Sequence, residues 1–310
     1  MRASGTSGHV VVVGVDGMDD GRRALRYGLS EARRRGQPVR IVHAWRDPAF
    51  VAPRMPYAPN PVTREAGAEV LFAAEREARS WGLPPSEVET VLVHGQPVGA
   101  LLAQLTDASC VVLGSRRHRP ARRFGGSTTT GLATRAKIPV HCVPEEWDPA
   151  RPELRRVVVG VDGSETTGEV VVGALAEARC RAARLEVVHA WWPTDSYDLA
   201  AGGGGLAGEW EEVARAALTR MVEAVAGPAP DVAWSIKLYF EPPVAALTGC
   251  ATDADLMVLG RRARLGPVGL GLGSTTRALL AAATCPVVVL PVLRRADQAL
   301  VDESAAAASA

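Results

Sequence analysis

Val11-Val12-Val13-Gly14-Val15-Asp16-Gly17 returns as Val157-Val158-Val159-Gly160-Val161-Asp162-Gly163, an offset of 146 positions from Asp16 to Asp162. A β-branched run bounded by Gly and Asp is the pattern of a strand buried on both faces. The same offset carries His43-Ala44-Trp45 to His189-Ala190-Trp191 and Leu113-Gly114 to Leu259-Gly260. One spacing held over that length means a duplicated domain, not an array of short repeats. The repeated stretches follow apolar runs, where α/β folds put their binding chemistry, so two candidate sites are outlined as well.

Outward from the first stretch, copy one reads as strand Val10 to Val15, then helix Asp20 to Arg35 stopped by Gly36, then strand Val39 to Ala44. Residues 47–61 hold five prolines without periodicity and read as a surface loop. Helix Thr63 to Trp81, strand Val88 to Val93, helix Val98 to Thr106, strand Cys110 to Leu113, helix Ser127 to Lys137 and strand Val140 to Val143 complete the copy. Copy two repeats the course from strand Val157 to Val161 through strand Val287 to Leu290. Strands alternating with helices predict an α/β fold of two tandem, doubly wound, five-stranded parallel sheets with helices on both faces. The expected domains are 8–144 and 155–293, joined by Glu145 to Arg155, with a disordered tail over 294–310 where the chain turns to Ala, Asp, Glu and Ser.

The 310 residues suit two domains, each large enough for its own core. A formal net charge of +1 argues against a general nucleic-acid binder. No apolar run approaches the roughly 20 residues of a membrane helix, and Met1 to His9 lacks a secretory signal pattern, so a cytoplasmic protein is expected. Cys110, Cys142, Cys180, Cys250 and Cys285 show no ligand or disulfide spacing and read as free thiols. The six histidines show no metal-ligand spacing, and His43 and His189 read as strand ends, so no metal site is expected.

Chemistry concentrates after the fourth strand of copy two, in the glycine-rich stretch from Gly260 through Arg262, Gly266 and Gly273 to Ser274 and Thr275. Glycines let backbone N–H groups approach a ligand, and Gly273-Ser274-Thr275 opens a helix whose free amides and dipole favour an anion. Phosphate binding and simple capping by Ser274 both fit those residues. Asp162 suits a ribose hydroxyl or an adenine amine, or the turn that follows it. Should the first and fourth strands flank the crevice of the sheet, Asp162 and the Gly260 stretch face one ligand. Gly203 to Gly208 matches G-x-G-x-x-G but follows a loop rather than a first strand, and reads as a flexible segment. Trp45, Trp191, Trp192 and Trp210 read as packing, since no basic residues interleave with them.

Each half resembles a universal stress protein domain, through Val-Gly-Val-Asp-Gly, Val-His-Ala after the second strand, Gly95-Gln96-Pro97, Val258-Leu259-Gly260, Gly273-Ser274 and Cys285-Pro286-Val287-Val288-Val289. The resemblance implies strand order 3-2-1-4-5 and an adenine nucleotide, ATP, with or without Mg. ATP-binding members carry G-x2-G-x9-G-[S/T] after strand four. Copy two matches at Gly260 and Gly273-Ser274, with Ala263 for the second Gly. The implied site there is Gly160, Asp162, Ala190, Gly260, Arg262, Gly266, Gly273, Ser274 and Thr275. Copy one offers Gly14, Asp16, Ala44, Gly114, Arg116, Gly126, Ser127 and Thr128, but puts Arg at the second Gly and reaches Gly126-Ser127 one residue early. Its Arg116, Arg117, Arg119, Arg122 and Arg123 are either phosphate ligands or a solvated basic loop. The resemblance also implies that Val140 to Val143 and Val287 to Leu290 pair antiparallel, giving an intramolecular pseudo-dimer and a candidate homodimer. Two functions remain: a stress-response protein regulated by ATP occupancy without enzymatic turnover, or a nucleotide-independent assembly module. No G-x-S-x-G elbow or Walker loop supports a hydrolase.

Overall fold

The computed structural model describes residues 9–46, 61–115, 128–192, 206–227, 230–261, 264–266 and 269–291. The chain divides into two compact units, Met1–Arg151 and Pro152–Ala310. Of the expected loop over 47–61 all but Pro61 lies outside the described residues, as do the Arg-rich stretch from Arg116 and the tail over 294–310. Gly203 to Gly205 also lie outside, whereas Leu206 to Gly208, expected to be flexible, open the helix Leu206–Ala226.

In the first unit β1 (Val10–Gly14), α1 (Asp19–Arg35), β2 (Val39–Trp45), α2 (Pro61–Ser80), β3 (Val88–His94), α3 (Pro97–Leu102), β4 (Ala108–Gly114), α4 (Thr128–Arg135) and β5 (Val140–Val143) follow in order. Parallel pairing of β1 with β2 and β4, β2 with β3, and β4 with β5 gives the order β3-β2-β1-β4-β5. The second unit runs β6 (Arg156–Val161), α5 (Thr167–Cys180), β7 (Arg184–Ala190), α6 (Leu206–Ala226), β8 (Trp234–Tyr239), α7 (Pro243–Ala251) and β9 (Leu256–Gly260). After a short hairpin come α8 (Ser274–Ala282) and β12 (Val287–Leu290). Its pairing is again parallel, in the order β8-β7-β6-β9-β12. Both units therefore have the 3-2-1-4-5 order, with the first and fourth strands side by side.

The central strands are valine runs because both of their faces are covered. In β6, Val157 and Val159 pack on Val171, Ala174 and Ala178 of α5, while Val158 packs on Leu247 and Ala251 of α7 and Leu279 of α8. Each fully buried Val contributes about 1.5–3 kcal/mol relative to exposure, so these strands anchor the units. The glycine that ends each first strand is a packing requirement: a Cβ on Gly14 would sit 2.5 Å from Leu113 Cδ2, and one on Gly160 2.9 Å from Leu259 Cδ2. The next glycine answers to the backbone, since Gly17 and Gly163 adopt φ of +77° and +73°, the left-handed region that suits Gly. Gly36 stops α1 in the same conformation, its N–H returning to the Arg33 carbonyl.

Two expectations are corrected. The helix expected to reach Thr106 ends at Leu102, because Gln104 and Leu105 turn back on Leu101 and Leu102 in tight three-residue steps. The glycine-rich stretch after β9, where no strand is expected, holds an antiparallel hairpin, β10 (Arg264–Gly266) with β11 (Gly269–Gly271), in which Leu265 pairs with Leu270 and Gly266 with Gly269. Gly266 thus lies in a strand pair. Leu265 and Leu270 alternating with glycine carried that signal. All five cysteines are free thiols, and burial pushes Cys142 up to about 12. No described helix is long and apolar enough to cross a membrane.

Candidate functional site

In the second unit β6 lies between β7 and β9, and the chain leaves all three strands at the same edge of the sheet. A cavity of about 260 Å³ opens at that edge. Gly160, Asp162, Ala190, Gly260, Gly273, Ser274 and Thr275 line it, so residues spread over much of the unit converge there. Arg262 lies outside the described residues.

Its apolar lining is Val161, Val170, Ala190, Leu247 and Leu259, with Pro243 at the start of α7. The first turn of α8 lines it too. Gly273 caps α8 without any side-chain hydrogen bond, and the first turn has no acidic residue. The N-terminal amides of Ser274, Thr275 and Thr276 therefore retain their attraction for an anion. Arg261 also lines the cavity and is 8% exposed. Burial pulls its guanidinium below the usual arginine range, a cost that an anion beside it would offset.

Asp162 satisfies both readings of the sequence. Its Oδ1 accepts the backbone N–H of Ser164 at 2.9 Å and the Thr167 hydroxyl at 3.4 Å, the turn-forming role, while the carboxylate lines the cavity. Thr166 and Thr167 line it too, and the Thr166 hydroxyl lies 3.1 Å from that of Ser164. Behind them His189 Nδ1 meets the Val161 carbonyl oxygen at 2.9 Å. The histidine expected simply to end a strand fixes the backbone just before Asp162. Thr166, Thr167, Arg261, Leu247 and Pro243 escaped the sequence reading. The hydroxyl cluster Ser164-x-Thr166-Thr167 was visible, but nothing local marks Arg261 as buried in the cavity lining.

The first unit has the same edge and a smaller cavity, about 130 Å³, lined by Gly14, Asp16, Ala44, Gly114 and Thr128 among the expected residues. Arg116, Gly126 and Ser127 lie outside the described residues. Asp16 Oδ1 accepts the Met18 N–H at 3.0 Å, and His43 Nδ1 meets the Val15 carbonyl oxygen at 2.8 Å. A larger cavity of about 770 Å³ lies between α1 and α2, bridged by the ion pair of Arg26 with Glu77. It runs along the flanks of α1 and α2 and reaches the turn after β1, sharing Val15 and Gly21 with the smaller cavity, but includes no residue of β4 or α4.

Aromatic rings gather beside the second cavity. Trp191, next to Ala190, stacks on Trp210 with centroids 5.2 Å apart and meets Phe240 at 4.9 Å, and Trp210 also meets His189. Ring-on-ring contact makes this the packing cluster the sequence suggested, with Trp192 and Phe240 at its exposed rim.

The family model described as the universal stress protein family matches residues 9–144 and again 153–291. A universal stress protein of Mycobacterium tuberculosis strain H37Rv is 32% identical over 294 residues, covering 91% of this chain and 96% of its own. A second from the same strain is 30% identical over 300 residues, covering 90% and 94%. The crystal structure of a universal stress protein from Archaeoglobus fulgidus aligns with TM-score 0.65 at 19% identity, over 92% of this chain and 97% of that one, which bears on the fold alone.

Proposed function

Since the chain belongs to the universal stress protein family, with two domains of that kind in tandem, we propose that it binds ATP in its second domain and acts as a cytoplasmic stress-response protein regulated by occupancy. The observation that carries the reading is convergence on one cavity of the α8 N-terminus, Arg261 and Asp162. In this assignment the apolar lining formed by Ala190, Val161 and Leu247 takes the adenine, Asp162 accepts from the ribose, and the amides of Ser274 to Thr276 with Arg261 take phosphate oxygens. A volume of about 260 Å³ is near the lower end for small-molecule sites, ~300–1,000 Å³, so a triphosphate extends beyond the mouth. Mg would arrive with the phosphates and neutralise part of their charge.

Turnover is not part of the proposal. Among the described lining residues Asp162 is the one carboxylate, and its Oδ1 is engaged by Ser164 and Thr167 rather than poised to activate water. Calorimetric titration with ATP tests the reading, with one site per chain and nucleotide recovered intact as the expected result. Absence of both heat and thermal shift at millimolar ATP would overturn it.

A further inference from the structure

The two cavities share one scaffold and differ in charge. Asp20 of the first domain stands 146 positions before Thr166 of the second, and each lines its own cavity. Ser115 stands where Arg261 does. The Ser115 N–H donates to the Val143 carbonyl at 2.8 Å and the Arg261 N–H to the Leu290 carbonyl at 2.9 Å, each on the fifth strand of its domain. Among the described lining residues, Asp16 and Asp20 are the charged groups of the first cavity, whereas Asp162 and Arg261 are those of the second.

Asp20 narrows the first cavity as well as charging it. Its side chain is 16% exposed and is held by Arg23. Its backbone leans on the end of β4, since a Cβ on Gly114 would lie 2.6 Å from the Asp20 carbonyl oxygen. Asp19 and Asp20 stand in the first turn of α1, while the second domain has Glu165 at the position matching Asp19 and Glu169 in the first turn of α5, so the helix starts differ in charge specifically where Asp20 is replaced by the uncharged N-cap Thr166. A phosphate entering there would meet the Asp20 carboxylate, a like-charge juxtaposition that its ion pair with Arg23 offsets only in part.

We infer that Asp20 closes the first domain to polyphosphates, and that the exchange of Asp20 and Ser115 for Thr166 and Arg261 holds the chain at one nucleotide. The inference rests on the nucleotide reading above and deepens it. Titration of the full chain with ATP tests it. Wild type takes one equivalent and the Asp20→Thr/Ser115→Arg double variant takes two. Thr166→Asp loses affinity by at least about 100-fold, whereas Thr166→Asn, similar in size and uncharged, stays within a few-fold of wild type. Two equivalents in wild type, one in a folded double variant, or equal affinity in Thr166→Asp and Thr166→Asn would overturn the inference and leave the nucleotide reading standing. A wild type that binds none removes both. If the double variant does not fold, the Thr166 pair decides alone.

Discussion

His189 Nδ1 donates to the Val161 carbonyl at 2.9 Å, and His43 repeats the bond to Val15 at 2.8 Å across the same number of residues. A carbonyl only accepts, so in both cases the proton is on Nδ1. The bond joins the end of the second strand to the residue before the cavity aspartate. His189→Ala should cost about 1 kcal/mol of stability and weaken ATP severalfold by loosening the Asp162 turn. His43→Ala should cost similar stability and leave ATP affinity unchanged. Thermal melts with parallel titrations check both, and equal binding losses would detach the histidine from the site.

Gly273 separates folding from binding. A Cβ there meets nothing within 4 Å, and φ is −57°, so Gly273→Ala should fold with unchanged melting temperature. If the backbone approaches a phosphate at the start of α8, the added methyl should lower ATP affinity by about tenfold or more. Asp162→Ala should weaken binding comparably, and Asp16→Ala should not. Gly160→Ala should instead destabilise by about 1–3 kcal/mol, because the methyl would press on Leu259 and Leu247.

Glu186 sits on β7 between Arg156 and Lys237, with Nε of Arg156 at 3.3 Å and Nζ of Lys237 at 3.1 Å from Oε2. Burial would raise its pKa, but the hydrogen bonds from Arg156 and Lys237 outweigh it and hold the carboxyl below its usual range. Its contribution is therefore full above the unfolded carboxylate pKa and lost as pH falls through the lowered folded value. Glu186→Ala should cost about 3–5 kcal/mol at pH 7, because it strands the buried Arg156. The gap between variant and wild type should shrink below about pH 4.5. A gap that stays constant through denaturant melts from pH 7 to pH 3 would refute this.

Trp191 follows Ala190, which lines the second cavity, and stacks on Trp210. ATP should therefore change tryptophan emission, and Trp191→Phe should remove most of the change while leaving the calorimetric affinity within a few-fold. An unaltered signal in that variant would assign the response to another tryptophan.

Much of the architecture was legible because its causes are local. Valine runs with Gly and Asp behind them mark strands wherever they occur, and Gly36 ends α1 by its own backbone freedom. The hairpin of Leu265 with Leu270 was missed because glycine spacing suits a phosphate loop and a tight strand pair equally. Within the site, Asp162, Gly260 and Gly273 were visible as a motif; Leu247 was not, since it joins the cavity through packing of α7, which the motif does not contain, and Arg261 was not, since it occupies an unspecified position of the motif whose burial only the fold decides.

The sequence by itself determined that the domain is present twice, in the same order of strands and helices, because a constant offset and local periodicity need no third dimension. Only the tertiary structure decided that the described linings of the two cavities carry different charged groups. Pairing of the first and fourth strands brings the start of α1 against Gly114 and puts Arg261 and Asp162 in the lining of one cavity, and electrostatics acts between groups that folding brings together.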